Sequence, residues 1–174
     1  MLWRVGHNPC VAPQTVSVRP VEDSDRDWLR ESLTQSGHLR IVSRGRLTED
    51  ASTLGGFLAE RAGTKLGYAL VRIDNDELEV VALEALTRRE GIGTALLAAA
   101  ADEARKAGCA RAWLITTNDN LDAVRFYQRR GWDLVALHRD AVTASRQLKP
   151  EIPAVGDYGL PIRHELEFEL LLST

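Results

Sequence analysis

A chain of 174 residues is long enough for one domain with a sizeable core, and 44% apolar with 27% charged residues is the composition of an ordinary folded protein. The net charge of −3 gives no general pull toward nucleic acid or an anionic membrane, and the two cysteines, Cys10 and Cys109, make no disulfide framework, so reduced thiols in a cytoplasmic protein are expected. No apolar run approaches the roughly 18 residues of a membrane span, and the start lacks the long apolar segment of a secretion signal, so 1–15 is expected as an N-terminal arm and 16–174 as the folded domain.

Residues 16–21 alternate through Arg19-Pro20 and predict a first strand. Asp23, Ser24 and Asp25 offer caps for a helix ending near Ser36. Residues 38–52, polar and containing Gly45, read as a loop or short helix beside a ligand cleft. Strands at 56–61, 65–73 and 77–86 follow as a meander, because the turns between them are short and polar. Val80, Val81 and the run 83–86 predict a central strand buried on both faces.

In 92–107, Ile92, Leu96, Ala100 and Ala104 share one helical face, and Gly108 is the expected stop. A buried strand at 110–117 follows, then a helix to Arg129 capped by Asn118 or Asn120 and ended by Gly131, then a strand at 134–138. This β-α-β-α-β order implies an α/β sheet with helices on both faces. Residues 139–162 read as an ordered excursion holding a short helix. The segment 164–172 alternates Leu166, Phe168 and Leu170 with Glu165, Glu167 and Glu169, which predicts a half-exposed last strand.

The stretch Leu86-Thr87-Arg88-Arg89-Glu90-Gly91-Ile92-Gly93-Thr94 joins the central strand to a helix start. Glycines let backbone approach a ligand, and the first free N–H groups of a helix point at an anion. A Walker loop is absent, and a dinucleotide fingerprint would need glycine where Leu96 stands. What remains is R-x-x-G-x-G, formed by Arg88, Gly91 and Gly93.

A second segment, 118–132, resembles the N-x-x-A-x-x-[FL]-Y-x-x-x-G-[FW] stretch of the GNAT N-acetyltransferase superfamily, with Asn120, Ala123, Phe126, Tyr127, Gly131 and Trp132 in place. One helix and one strand separate it from the glycine turn, as in that family, and the opening Arg19-Pro20 with Asp25 is similar too. The resemblance covers 16–138 well and is weaker over 139–174. It implies an α/β GNAT fold, a mixed central sheet of about six to seven strands flanked by helices on both faces. It also implies acetyl-CoA as cosubstrate and transfer to a primary amine of a small molecule or peptide. The loop Leu86-Thr87-Arg88 is shorter than the proline-containing loop of many members.

On that resemblance the cosubstrate contacts are Ala85, Leu86, Arg88, Arg89, Glu90, Gly91, Ile92, Gly93, Thr94, Asn120 and Tyr127. Amides from Arg89 to Thr94 would cradle the pyrophosphate, and the end of the central strand would pair with the pantetheine arm. Tyr127 is the candidate that protonates or hydrogen-bonds the departing thiolate; the structural alternative is a buried tyrosine with a satisfied hydroxyl. Glu79, Glu84 or a water chain would serve as base, and the odd spacing of the two glutamates predicts opposite strand faces. Glu165 and Glu167 either line the acceptor cleft or form a solvated strand face. His38, His138 and His164 lack metal-ligand spacing, so no metal is expected. Cys109 and Trp113 read as core, and burial disfavours a covalent route through Cys109. The reaction implied is direct transfer in a ternary complex. A longer acyl-CoA donor and a non-catalytic CoA-binding regulatory module are the alternatives. No nucleic-acid or membrane partner is expected, and the family is often homodimeric.

Overall fold

The structure, a computed structural model, describes residues 15–87 and 90–172. The expected arm, except its last residue, and both Arg88 and Arg89 lie outside the described residues. In chain order the strands are β1 (Ser17–Pro20), β2 (Ile41–Ser43), β3 (Arg46–Thr48), β4 (Gly55–Arg61), β5 (Thr64–Asp74), β6 (Glu77–Ala85), β7 (Arg111–Thr117), β8 (Asp133–His138) and β9 (Glu165–Leu171). The helices are α1 (Arg26–Gln35), α2 (Ile92–Lys106), α3 (Leu121–Gln128) and α4 (Ala141–Ser145). Seven strands form one sheet in the order β1-β4-β5-β6-β7-β9-β8, with β6 at its centre and only β6–β7 parallel among its pairings. Among the described residues no helix is long and apolar enough to cross a membrane.

The apolar pattern sorts the layers. Ile92, Leu96, Ala100 and Ala104 of α2 are all buried, packed on one face of the sheet among Ala69, Leu78, Ala112, Leu114 and Phe168. Leu29 and Leu33 of α1 meet Leu58, Tyr68 and Leu70 on the other face. Each fully buried leucine of this kind stabilises the fold by roughly 1.5–3 kcal/mol. The entry to α1 is fixed by Asp25, which accepts from the Glu22 N–H at 2.9 Å. The same carboxylate takes a two-pronged bond from Arg19 at 2.7 and 3.0 Å and lies 2.8 Å from the Lys65 ammonium. Of the two candidate caps for α3, Asn120 is the one used, its Oδ1 accepting from Ala123 N at 3.0 Å. Asn118 instead binds the returning excursion, accepting from Arg163 and His164 N–H and donating to Pro161 O.

Three expectations are corrected. Residues 38–52 hold the hairpin β2–β3 and a 3-10 turn at Ala51–Thr53, not a loop or helix alone. The hairpin loop is Arg44-Gly45, both at positive φ (48° and 75°), a primed-type turn without the usual Asn or Asp in first place. β9 is not half-exposed: it lies between β7 and β8, and Glu165 and Glu167 are 2% and 4% exposed. The hairpin covers their face of the sheet, and neighbouring cations compensate Glu167, so alternation with charge did not mean solvent.

The third correction concerns β6. The β5–β6 register pairs Leu70 with Ala82 but Val71 with Val80, leaving Val81 as an extra residue. Such a bulge resets the alternation of side chains. Glu79 opposite Arg72 and Glu84 opposite Tyr68 therefore stand on the same face of the sheet, not on opposite faces. The strand is central as expected, yet 81–85 is only half-buried.

Candidate active site

β6 and β7 pair only over Glu77–Glu79 and Arg111–Trp113. Beyond Glu79 the β7-facing edge of β6 has no partner strand among the described residues, while β7 continues against β9 to Thr117. The wedge between them opens into a cleft of about 570 Å³, walled by Val81 and Leu83 on one side, Ile115 and Thr117 on the other, and Tyr127 beneath. Its far wall comes from the α1–β2 loop and the segment after α4.

A second cavity, of about 700 Å³, lies at the start of α2. Ala85, Thr87, Gly91, Ile92, Gly93 and Thr94 contribute to it. Gly91, at φ 77°, supplies the left-handed residue that turns the chain into α2, and the helix then presents its unpaired first-turn amides. Gly93 packs closely: a Cβ there would come within 3.1 Å of the Phe126 ring, which would have to give by a few tenths of an ångström. Thr87 Oγ1 is buried with no hydrogen-bond partner among the described residues. This orphaned hydroxyl, a glycine-lined helix start and surrounding cations suit an anionic ligand.

The cations are in part new. Arg125, Arg129 and Arg130 of α3 and its C-terminal end line the same cavity. Arg130 stacks 3.6 Å from the Phe126 ring centroid and donates to Thr94 Oγ1 at 2.8 and 2.5 Å. Their signal in the sequence was Arg125 and Arg129 one turn apart on the helix that Asn120 caps. Glu90 is exposed and paired with Arg61 at 2.7 Å. Ile92 is 1% exposed and acts chiefly as packing. Leu86 is 49% exposed and belongs to a separate groove beside α1.

Tyr127 and Asn120 both reach the central cleft. The Tyr127 ring is clamped by Phe126 and Phe168, with centroids 5.3 and 5.5 Å away, and burial pushes its phenol up to about 12. The two glutamates proposed as bases do not line the cleft. Glu84 accepts a hydrogen bond from the Tyr68 hydroxyl and faces the groove beside α1. Glu79 is 6% exposed, 3.7 Å from Arg72 and paired in register with Trp113. Trp113 is buried as expected, with the Arg44 and Arg111 guanidinium groups 5.2 and 5.8 Å from its ring centroid. Cys109 is buried, and burial raises its thiol.

Two carboxylates do line the cleft: Glu151, half-exposed and paired with Arg40 at 3.4 Å, and the buried Glu165. Burial raises Glu165 above the ordinary range, opposed by the Arg44 N–H, which donates to its Oε2 at 3.1 Å. Glu167, one step along the same face, differs. Burial pushes it up, but His138 at 2.8 Å and Arg111 at 3.0 Å outweigh that and hold it below its ordinary value.

A family model described as the acetyltransferase (GNAT) family matches residues 19–132. YdhI, an uncharacterized protein of Bacillus subtilis strain 168, is 42% identical over 121 residues, covering 69% of this chain and 76% of its own. Among solved structures, a Bacillus subtilis acetyltransferase in complex with CoA superposes with a TM-score of 0.67 at 14% identity, over 91% of this chain and 100% of that one. The ribosomal-protein-S18-alanine N-acetyltransferase of Escherichia coli superposes with a TM-score of 0.63 at 17% identity, over 92% and 96%. The sequence match spans the glycine turn and the Tyr127 segment that frame the wedge, and the fold agrees: the chain belongs to the GNAT acetyltransferase family.

Proposed function

We propose that this protein moves an acetyl group from acetyl-CoA to a primary amine by direct transfer in a ternary complex. The observation that carries the reading is the parting of β6 from β7, which leaves an open backbone edge between the α2 start and Tyr127. The CoA carried by a neighbour of the same fold supports the choice of donor. Acetyl-CoA supplies an activated acyl carbonyl with a thiolate as leaving group.

The chain's own groups divide the remaining work. The α2 amides behind Gly91 and Gly93, with Thr87, Thr94 and the arginines around them, bind the diphosphate; Arg88 and Arg89 belong to this set by sequence. Ala85 lies where the donor's arm leaves the turn for the open edge of β6. N–H groups on that edge stabilise negative charge on the acyl oxygen. Tyr127 donates a hydrogen bond to the departing sulfur. Burial raises its phenol to about 12, a weaker acid than an ordinary thiol near 8.5, so Tyr127 acts as a hydrogen-bond donor and the sulfur takes its final proton from solvent. The ammonium of the acceptor must first lose a proton. Glu79, behind Arg72, and Glu84, held by Tyr68, reach it only through water.

Calorimetry with acetyl-CoA, followed by free-thiol release across a panel of amines, tests the reading. Tight binding with amine-dependent release is expected. Binding without release on any amine would support a non-catalytic CoA module, faster release from propionyl-CoA would support a longer acyl donor, and no binding would overturn the proposal.

A further inference from the structure

The cleft contains a set of buried polar groups that the acyltransfer chemistry above leaves unused. Ser43 and Ser145 are 8% and 3% exposed, both line the cleft, and the hydroxyl of each has no hydrogen-bond partner among the described residues. Leaving a buried hydroxyl unsatisfied costs about 1–3 kcal/mol, so two in one cavity call for a ligand. Glu165 lines the same cavity with no cation in ion-pair contact among the described residues, the Arg44 and His138 side chains acting on it only from farther off, whereas Glu79 pairs with Arg72 and Glu167 with Arg44, Arg111 and His138. A buried carboxylate in this state is stabilised by any cation that reaches it.

The wall of the cleft farthest from the glycine turn is closed by a clasp between two distant segments. Lys149, after α4, donates to the carbonyls of Gly37 and Arg40, both at 2.7 Å. Arg40 returns a bond to Leu148 O at 3.0 Å and lies 3.4 Å from Glu151. Arg146 stiffens the same segment by donating to the carbonyls of Ile152, Pro153 and Ile162. A polypeptide acceptor has to run out of the site in an extended path, and the clasp stands across that wall. The donor's thioester end takes part of the roughly 570 Å³, and what remains suits a compact acceptor.

We infer that the acceptor is a small amine carrying hydroxyl or similar hydrogen-bonding groups, not a polypeptide, with its ammonium on Glu165 and its polar substituents on Ser43 and Ser145 beneath the Arg40–Lys149 clasp. This rests on the acyltransfer reading and narrows its acceptor. Glu165 is the recognition group that takes the ammonium from water, and the two serines select for polar substituents over plain alkylamines.

The test sets glucosamine, ethanolamine, spermidine and butylamine against a pentapeptide with free N-terminal serine and an internal lysine. Thiol release from acetyl-CoA and calorimetric binding of each probe to the protein–CoA complex are both read. The polyhydroxylated amine is expected to lead, with the pentapeptide at least tenfold behind. Glu165→Gln keeps the acceptor for Arg44 N–H while losing the charge, and should raise KM for the amine at least tenfold with KM for acetyl-CoA unchanged. Ser145→Ala should narrow the gap between glucosamine and butylamine. Pentapeptide turnover or binding equal to that of the small amines, or an unchanged amine KM in folded Glu165→Gln, would overturn the inference while leaving the acetyltransferase reading intact. Should no probe be acetylated, binding of glucosamine without the pentapeptide still supports it, and binding of neither overturns it. Loss of acetyl-CoA binding itself would count against the acyltransfer reading instead.

Discussion

Tyr127 has a structural task and a chemical one, and a single oxygen separates them. Its ring fills the space between Phe126, Trp132 and Phe168, so Tyr127→Phe keeps the packing. That variant should melt like the parent and bind acetyl-CoA equally well, with kcat down roughly 10- to 100-fold, the worth of one hydrogen bond to a charged atom. Asp25 is the opposite kind of residue, with a charge that matters to the fold alone. Hydrogen bonds from Arg19 hold its carboxyl well below the usual carboxylate range, against the opposing effect of burial and with help from Lys65. A carboxylate with a depressed folded value contributes stability that is present above its unfolded value, about 3.9, and is lost as pH falls below it. Urea unfolding should therefore show the parent losing stability below about pH 4 and Asp25→Asn a flatter profile there. Asp25→Ala should cost about 3 kcal/mol at pH 7, since Arg19 and Lys65 lose their buried partner but keep some solvent.

At the scale of elements, the bulge in β6 decides the site. It lets β6 pair fully with β5 while its other edge turns away from β7. Gly67 leaves no room for a side chain between β5 and β6 near the donor end: a Cβ there would lie 2.4 Å from Glu84 O and 3.1 Å from the Ile92 side chain. The obstacle is backbone, which cannot swing aside. Gly67→Ala should cost about 2–3 kcal/mol by overpacking, and should weaken acetyl-CoA binding because Ile92 opens α2. Gly93→Ala meets only the Phe126 ring at 3.1 Å, so thermal melting should show a smaller loss than for Gly67→Ala.

Across the whole molecule, Arg111 ties three neighbouring strands of the sheet together. From β7 it donates to Glu77 of β6 at 2.8 and 3.0 Å, and to Glu167 and Glu169 of β9 at 3.0 and 2.8 Å. Without it those carboxylates would repel one another on a largely covered face. Arg111→Ala should lose about 2 kcal/mol at pH 7, less than a fully buried pair because Glu77 keeps solvent contact. Arg111 helps hold Glu167 below its ordinary value, so that part of the stabilisation is present above the ordinary glutamate range near 4.3 and is lost as pH falls below it, where the deficit against the parent should shrink. Denaturation curves at about pH 7 and about pH 4 would show the gap narrowing.

What the sequence determined by itself was everything encoded locally. The apolar face of α2, a cap for α3 at Asn118 or Asn120, the glycine turn and the Tyr127 segment are set by neighbours a few residues apart, and from them the layer order and the family follow. The hairpin turn at Arg44-Gly45 escaped because its backbone lacks the usual residue signature. The tertiary structure decided what depends on distant partners. One extra residue at Val81 put Glu79 and Glu84 on one face, which no count of spacing reveals. For Glu165 and Glu167 the sequence left a cleft wall and a solvated strand face both open; the fold buries both beneath the β2–β3 hairpin and puts Glu165 in the cleft wall, because burial of a charge is fixed by the cations and cover that other segments bring. The clasp between Arg40 and Lys149 joins residues more than a hundred positions apart, so only the folded chain could show where the cleft ends and that Glu165, unlike Glu151, lines it without an ion-pair contact among the described residues.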